Sequence, residues 1–150
     1  MKLFIYKILL ILGCITLFSE SVIAADVSLI VNANNPISSI TSEDLRSFFI
    51  KKNRSWKNGK AVRFFDHRDE NNNRKIFLKK YIKKTSREIE LYWIGEKIYT
   101  GNIAPIQVTS DSMMANMVSR FSGGIGFVSS HYAIPATVKR ITVINNSGKD

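Results

Sequence analysis

The stretch SDSMMANMVSRFSGGIGFV, residues 110–128, places a helix signal directly before a strand signal. Ser110 or Asp111 can cap a helix, because a side-chain oxygen there accepts a free backbone N–H of the first turn. The apolar residues that follow recur at helical spacing on one face: Met113, Met114, Met117, Val118 and Phe121. Gly123 is placed to end the helix in the left-handed conformation, and residues 125–128 are typical of a buried strand. The stretch therefore predicts a helix–strand unit.

The same alternation of element types continues on both sides of this unit. Residues 27–31, 61–65 and 138–144 are rich in β-branched or aromatic residues and predict three more strands. Apolar residues at helical spacing predict three more helices, which begin near Thr41, Asn71 and Ser86. Strands that alternate with helices are typical of an α/β domain, so we expect one mixed sheet flanked by helices.

The N-terminal residues have the pattern of a secretory signal peptide. Lys2 and Lys7 are basic, residues 8–18 are almost continuously apolar, and small residues stand near Ala24 and Ala25. An apolar stretch of this length is shorter than the roughly 20 residues that span a bilayer. We therefore predict a signal peptide over residues 1–25, with cleavage near Ala24 or Ala25, and a periplasmic or secreted protein.

Cys14 is the single cysteine of the 150-residue chain. Its surroundings resemble a lipoprotein box only faintly, because Leu12 is bulky there and the chain stays apolar beyond Cys14. Lipid anchoring at Cys14 is therefore not expected. One cysteine also excludes an intrachain disulfide and a thiolate zinc site. The full chain has 45% hydrophobic residues, which argues against intrinsic disorder. We therefore predict a single globular domain over residues 26–150 with a polar tail from about residue 145.

The predicted domain has few of the groups that catalysis needs. It holds two histidines, His67 and His131, and no G-x-S-x-G turn. Residues 66–70, Asp-His-Arg-Asp-Glu, suit either a metal or acid/base site or a charged loop before a helix. The loop interpretation is favoured, because carboxylates are stabilised near a helix N-terminus. We therefore expect a noncatalytic protein without metal or cofactor.

A run of positive charge follows this loop. Seven basic residues stand within residues 74–87, and six of them form a candidate surface patch with Arg74 beside it: Lys75, Lys79, Lys80, Lys83, Lys84 and Arg87. Such a patch is either a solvated helix face or a surface that attracts an anionic partner. Nucleic acid is not expected as that partner, because Phe77 and Tyr81 lie on the apolar face and cannot stack on bases.

Short motifs stand in a fixed order along residues 32–143. They are Pro36-Ile37-Ser38-Ser39, Phe48-Phe49-Ile50, Trp56-Lys57-Asn58-Gly59, Arg74 with Phe77, Tyr92-Trp93, Gly101, Pro105, Ser110 and Gly123-Gly124-Ile125-Gly126-Phe127. This ordered set resembles the phosphate ABC-transporter substrate-binding protein family, in particular its short, single-domain members. The resemblance implies a periplasmic-binding-protein-type (type II-like) α/β fold and a noncatalytic role.

The resemblance also implies where an anion would bind. Full-length members of the family hold it between two lobes, with a serine/threonine loop and an arginine before a Ser-Gly-Thr segment. The candidate anion-binding residues here are Ser38, Ser39, Thr41 and Arg68, although asparagines 71–73 replace Ser-Gly-Thr. The three hydroxyls precede a predicted helix, where free amides and the helix dipole favour an anion. Their alternative role is to cap that helix.

Two functions remain open at this point. The first is an exported, noncatalytic solute-binding-like protein that binds phosphate or another small oxyanion and works with a membrane transporter. The alternative is an envelope protein-interaction module that docks its basic helix on an anionic surface or protein partner. The sequence leaves open whether two copies form a homodimer that recreates a cleft.

Overall fold

The structure is a computed structural model that describes residues 25–145. The predicted signal peptide, Cys14 and most of the polar tail lie outside the described residues. Six strands are present: β1 (Val27–Asn32), β2 (Ser39–Thr41), β3 (Arg63–His67), β4 (Ile106–Val108), β5 (Gly124–Ser129) and β6 (Val138–Ile144). Four α-helices alternate with them: α1 (Ser42–Phe49), α2 (Asn72–Phe77), α3 (Ser86–Thr100) and α4 (Asp111–Arg120).

The strands form one mixed sheet in the order β2-β6-β1-β5-β3-β4. β1 is antiparallel to both of its neighbours, whereas β5, β3 and β4 are parallel to one another. The carboxyl ends of these three parallel strands therefore meet at one edge of the sheet, which we call the carboxyl edge. The mixed sheet flanked by helices confirms the predicted α/β fold.

The sheet separates two apolar clusters, because successive side chains of a strand point to opposite faces. Leu29 and Val31 of β1 belong to the cluster covered by α1, α2 and α3, whereas Ile30 belongs to the cluster covered by α4. In the first cluster the Phe77 and Phe127 rings are stacked with their centroids 4.0 Å apart. The helices thus form layers on both faces of the sheet.

The helix predicted from Asn71 changes its geometry part of the way along. The α-helix ends at Phe77 and continues as a π-helical turn over Leu78–Ile82. Lys83 donates its backbone N–H to the Leu78 carbonyl at 2.7 Å and adopts a left-handed conformation with φ of 61°. The wider turn buries both Leu78 and Ile82, so the predicted apolar face is retained.

α3 has 15 residues and begins with a capping box between Thr85 and Glu88. Gly101 ends it in the left-handed conformation, with φ of 72°. Within residues 25–145, no helix is both long enough and apolar enough to cross a membrane.

The glycines after α4 serve close packing. The prediction that Gly123 ends the helix in a left-handed conformation is wrong, because the positive-φ glycines between residues 25 and 145 are Gly59 and Gly101. A Cβ atom on Gly123 would lie 1.9 Å from the Ala61 carbonyl oxygen, and one on Gly124 would lie 2.5 Å from that of Val118. The backbone carbonyl groups of Ala61 and Val118 therefore fill the space that a side chain at Gly123 or Gly124 would need.

Candidate functional site

The carboxyl edge of the sheet brings two helix starts together. β3 ends at His67 and is followed by α2, while β4 ends at Val108 and is followed by α4. β5, the neighbour of β3 on the side opposite β4, ends at the same edge at Ser129. Ligands of open α/β sheets bind at the carboxyl ends of the strands, and helix N-termini present free N–H groups there. This edge is therefore the candidate site.

The carboxylate of Asp111 lies at the centre of the edge. Its Oδ1 lies 3.2 Å from His67 Nε2 and accepts a hydrogen bond from Asn73 Nδ2 at 3.0 Å. Its Oδ2 accepts the backbone N–H of Ser129 at 3.0 Å. The Asp111 side chain is 18% exposed. We call the three nitrogen donors, His67 Nε2, Asn73 Nδ2 and Ser129 N, the Asp111 donor cluster.

The orientation of His67 follows from its neighbour Asn71. The Asn71 side-chain oxygen caps α2 by accepting the Asn73 N–H at 2.8 Å, so its amide nitrogen faces His67 Nδ1 at 3.2 Å. Nδ1 is therefore the acceptor, and the ring hydrogen is assigned to Nε2. Nε2 lies 3.0 Å from the Phe127 carbonyl oxygen and faces Asp111 as well. The single Nε2–H of the buried ring is thus shared between the Phe127 carbonyl oxygen and the Asp111 carboxylate.

These contacts shift the protonation of Asp111. Burial raises the pKa of the Asp111 carboxyl, but hydrogen bonds from His67, Ser129 and Asn73 lower it further than burial raises it. The net effect holds the pKa below its ordinary value of 3.8. The edge therefore stabilises a negative charge at neutral pH.

A second polar pair lies on the other face of β3. Arg74 Nε donates to Asp66 Oδ2 at 2.9 Å, and both side chains are buried. Arg74 also contacts Asp69 Oδ1 at 2.7 Å and donates to Ser86 Oγ at 3.1 Å. Burial raises the pKa of Asp66, and the charge and hydrogen bond of Arg74 oppose that rise. Arg74 thus connects β3, α2 and the start of α3 and is no surface cation.

Asp66 and His67 therefore belong to a buried strand end. The expected charged loop is confined to Arg68, Asp69 and Glu70, which are exposed. His67 faces Asp111 whereas Asp69 faces Arg74, so these groups do not converge as an acid/base site would require. No cluster of three or more metal-ligating side chains occurs in the part of the chain that the structure describes.

The four candidate anion-binding residues do not form one site. Ser38, Ser39 and Thr41 lie at or beside β2, whereas Arg68 follows β3, and three strands separate β2 from β3. At about 4.8 Å per strand, the two groups are roughly 19 Å apart. The Thr41 hydroxyl accepts the Asp44 N–H at 3.0 Å, so it caps α1. Of the four, Arg68 is the residue near the carboxyl edge.

The candidate basic patch divides into three parts. Arg87 pairs with Glu90 at 3.2 Å, and Lys80 pairs with Asp26 at 2.9 Å. The other four lysines form no ion pair with any residue between positions 25 and 145. They surround a concave surface of about 620 Å³ around Leu78 and Thr85, which we call the lysine groove: Lys75, Lys79, Lys83 and Lys84.

Comparison with known proteins gives structural matches. No protein-family model matches the sequence, and no curated protein matches it. An ABC-type phosphate transport receptor from Vibrio cholerae is 20% identical, with a TM-score of 0.60 over 79% of this chain and 46% of that chain. A putative phosphate ABC transporter substrate-binding protein with bound phosphate from Clostridium perfringens is 17% identical, with a TM-score of 0.63. The match covers 79% of this chain and 45% of the Clostridium perfringens chain. PstS from Borrelia burgdorferi is 17% identical, with a TM-score of 0.62, and the match covers 84% of this chain and 49% of PstS.

The chain therefore has a periplasmic-binding-protein-type α/β fold. In particular, it is similar in structure to phosphate ABC-transporter substrate-binding proteins, as the sequence motifs predict. It spans less than half the length of each of these three structures.

Proposed function

We propose that this protein is an exported, noncatalytic solute-binding-like protein that binds a small oxyanion at the carboxyl edge, with phosphate as the first candidate. The observation that supports the proposal is the Asp111 donor cluster, in which three nitrogen donors from three different elements face one carboxylate. Charge-assisted donors of this kind stabilise an anion, and in this structure that anion is the Asp111 carboxylate. The similar protein from Clostridium perfringens is described with bound phosphate.

Charge around the edge favours the same ligand class. The chain has a formal net charge of +10, which attracts anions over long range. Arg68 is exposed at the end of β3, and its guanidinium can bind an oxyanion through two parallel hydrogen bonds. Asp69 is paired with Arg74, so its charge is partly compensated. Glu70 is then the main opposing charge in this loop.

The histidines support a noncatalytic role. Both ring nitrogens of His67 are engaged, Nδ1 with Asn71 and Nε2 with Phe127 and Asp111. Its buried ring therefore presents no free base to a substrate. His131 is exposed, and it donates its backbone N–H, not a ring nitrogen, to Ser129 Oγ at 3.4 Å.

Isothermal titration of the exported chain with phosphate, at low and physiological salt, tests this proposal. Sulfate serves as the control anion. We expect saturable phosphate binding that survives physiological salt and weakens at least tenfold in Arg68→Ala. Arg120→Ala removes an exposed arginine from the last turn of α4 and should bind as the native protein does. Binding that sulfate shares equally and that salt abolishes would contradict the proposal.

The lysine groove favours a second candidate function, a protein-interaction module of the cell envelope. Its four lysines form no ion pair with any residue among 25–145, and Glu88 is the one carboxylate that lines the same groove, so a net positive charge is available to an anionic surface or protein. The groove is concave and four lysines surround it, which favours a partner that brings negative charge.

A further inference from the structure

We infer that Asp111 is the resident anion of the carboxyl edge and limits the binding of external anions there. Its carboxylate occupies the donors that an external oxyanion would use, so an incoming anion has to displace the Asp111 side chain. This inference rests on the proposed function in one respect, namely that the native protein takes a free anion at this edge. The occupation of the donors by Asp111 is itself a feature of the structure.

An ordinary role for Asp111 would be to stabilise the start of α4. Acidic residues are favoured in the first turn of a helix because they interact with its dipole. Ser110 already caps α4, since its hydroxyl accepts the Met113 N–H at 3.1 Å. The carboxylate of Asp111 instead makes its three contacts with β3, α2 and β5. Helix capping therefore does not account for where the side chain points.

The donors themselves are held in place by other contacts. The ring of His67 is oriented by Asn71 and by the Phe127 carbonyl oxygen, and the Ser129 N–H is part of the end of β5. Removing the Asp111 carboxylate would leave the Asn73 Nδ2 and Ser129 N–H groups without this acceptor, whereas His67 Nε2 would keep the Phe127 carbonyl oxygen. An oxyanion small enough to enter the space would restore that acceptor. The cluster thus has the chemistry of an anion site whether its occupant is internal or external.

Charge repulsion makes the two occupants exclude each other. The pKa of Asp111 is held below its ordinary value, so its carboxylate is ionised at neutral pH. A phosphate placed beside it would meet a like charge at close range in a partly buried site. External binding is therefore weak in the native protein, and loss of the Asp111 carboxylate strengthens it.

The test compares native protein with Asp111→Ala. We expect Asp111→Ala to bind phosphate at least tenfold more tightly in calorimetry. Sodium formate should raise its Tm more than sodium chloride of equal ionic strength does, while the native Tm responds equally to both salts. Glu70→Ala removes an exposed carboxylate from the same edge and controls for a general change in charge. If Asp111→Ala does not fold, Asp111→Ser gives the same comparison, because it removes the carboxylate and shortens the side chain.

The outcomes separate this inference from the proposed function. Weak native binding and tighter binding by Asp111→Ala support both. Binding by Asp111→Ala together with no detectable binding by the native protein supports the role of Asp111 and overturns the proposed function. Native binding that the substitution does not strengthen, or strengthens no more than Glu70→Ala does, overturns the inference alone. No binding by either protein and no effect of formate overturns both.

Discussion

Arg74 Nε lies 2.9 Å from Asp66 Oδ2, and both side chains are buried between β3 and α2. The same guanidinium reaches Asp69 in the preceding loop and Ser86 at the start of α3. One arginine therefore fixes how the loop after β3 and the two following helices are placed. Because the candidate anion site lies at the end of β3, the ion pair also supports the geometry of that site.

Removing one partner of this pair should be strongly destabilising. Arg74→Ala leaves Asp66 buried without its cation, and we expect the free energy of unfolding to fall by about 3–5 kcal/mol. Urea denaturation followed by circular dichroism measures the change. In Asp66→Asn/Arg74→Met both charges are removed, so this double variant should be clearly more stable than Arg74→Ala. Equal stability of the two variants would show that the isolated charge is not the cause.

The stability of the protein at acid pH should depend on Asp111. Its pKa is lowered in the folded protein, so the stability that it contributes is present above its ordinary pKa of 3.8 and is lost as the pH falls through the lower, folded value. Asp66 has the opposite shift, so the whole-protein profile combines both groups. The difference in Tm between native protein and Asp111→Asn isolates Asp111, and we expect it to shrink as the pH is lowered from 5 toward about 2. A difference that does not change with pH would contradict the prediction.

Gly123→Ala should disrupt the packing between the α4–β5 connection and the segment before β3. The new Cβ atom would lie 1.9 Å from the Ala61 carbonyl oxygen, a backbone atom that cannot turn away. We expect a loss of about 3 kcal/mol in the free energy of unfolding, because the clash is with backbone. Gly95→Ala is the matched control, because nothing lies within 4 Å of its Cβ position in α3. That substitution should stabilise the protein by about 0.5–1 kcal/mol, since alanine favours a helix over glycine.

Charge reversal separates the two candidate functions. If the lysine groove docks on an anionic partner, Lys79→Glu/Lys83→Glu/Lys84→Glu should abolish salt-sensitive binding to phosphatidylglycerol vesicles or to polyglutamate, because attraction becomes repulsion. Phosphate binding at the carboxyl edge should remain within about threefold of native, because screening weakens interactions between distant surface charges.

The control for the groove variant reverses three exposed lysines elsewhere, Lys52, Lys57 and Lys60, and gives the same net charge. Co-sedimentation with vesicles and fluorescence anisotropy with polyglutamate measure both variants. Equal losses in the two variants would mean that net charge, and not the groove, determines the binding.

Much of the fold is determined by local sequence signals. The predicted strand over residues 138–144 coincides with β6, and the helix predicted from Ser86 begins at that residue as α3. Thr41 and Ser110 cap α1 and α4 as expected, through the Asp44 and Met113 N–H groups. These features are local, because a cap or a hydrophobic period involves residues a few positions apart.

Other features depend on distant contacts. β2 and β4 have three residues each, which is too short for a hydrophobic period, and they form because β6 and β3 supply hydrogen-bond partners. The π-helical turn after Phe77 likewise has the apolar spacing of an α-helix in the sequence. Gly123 is required by the close approach of Ala61, a residue more than sixty positions away.

The sequence by itself therefore determined the α/β class and the positions of most helices and strands. It also led us to expect a noncatalytic protein. The tertiary structure determined which residues meet at the candidate site. Asp111 lies 38 residues from Asn73 and 18 from Ser129, and it meets both because β5, β3 and β4 are adjacent and parallel. The same strand order separates Ser38 from Arg68. Periodicity and capping act over a few residues, whereas strand order brings together donors that no local pattern connects.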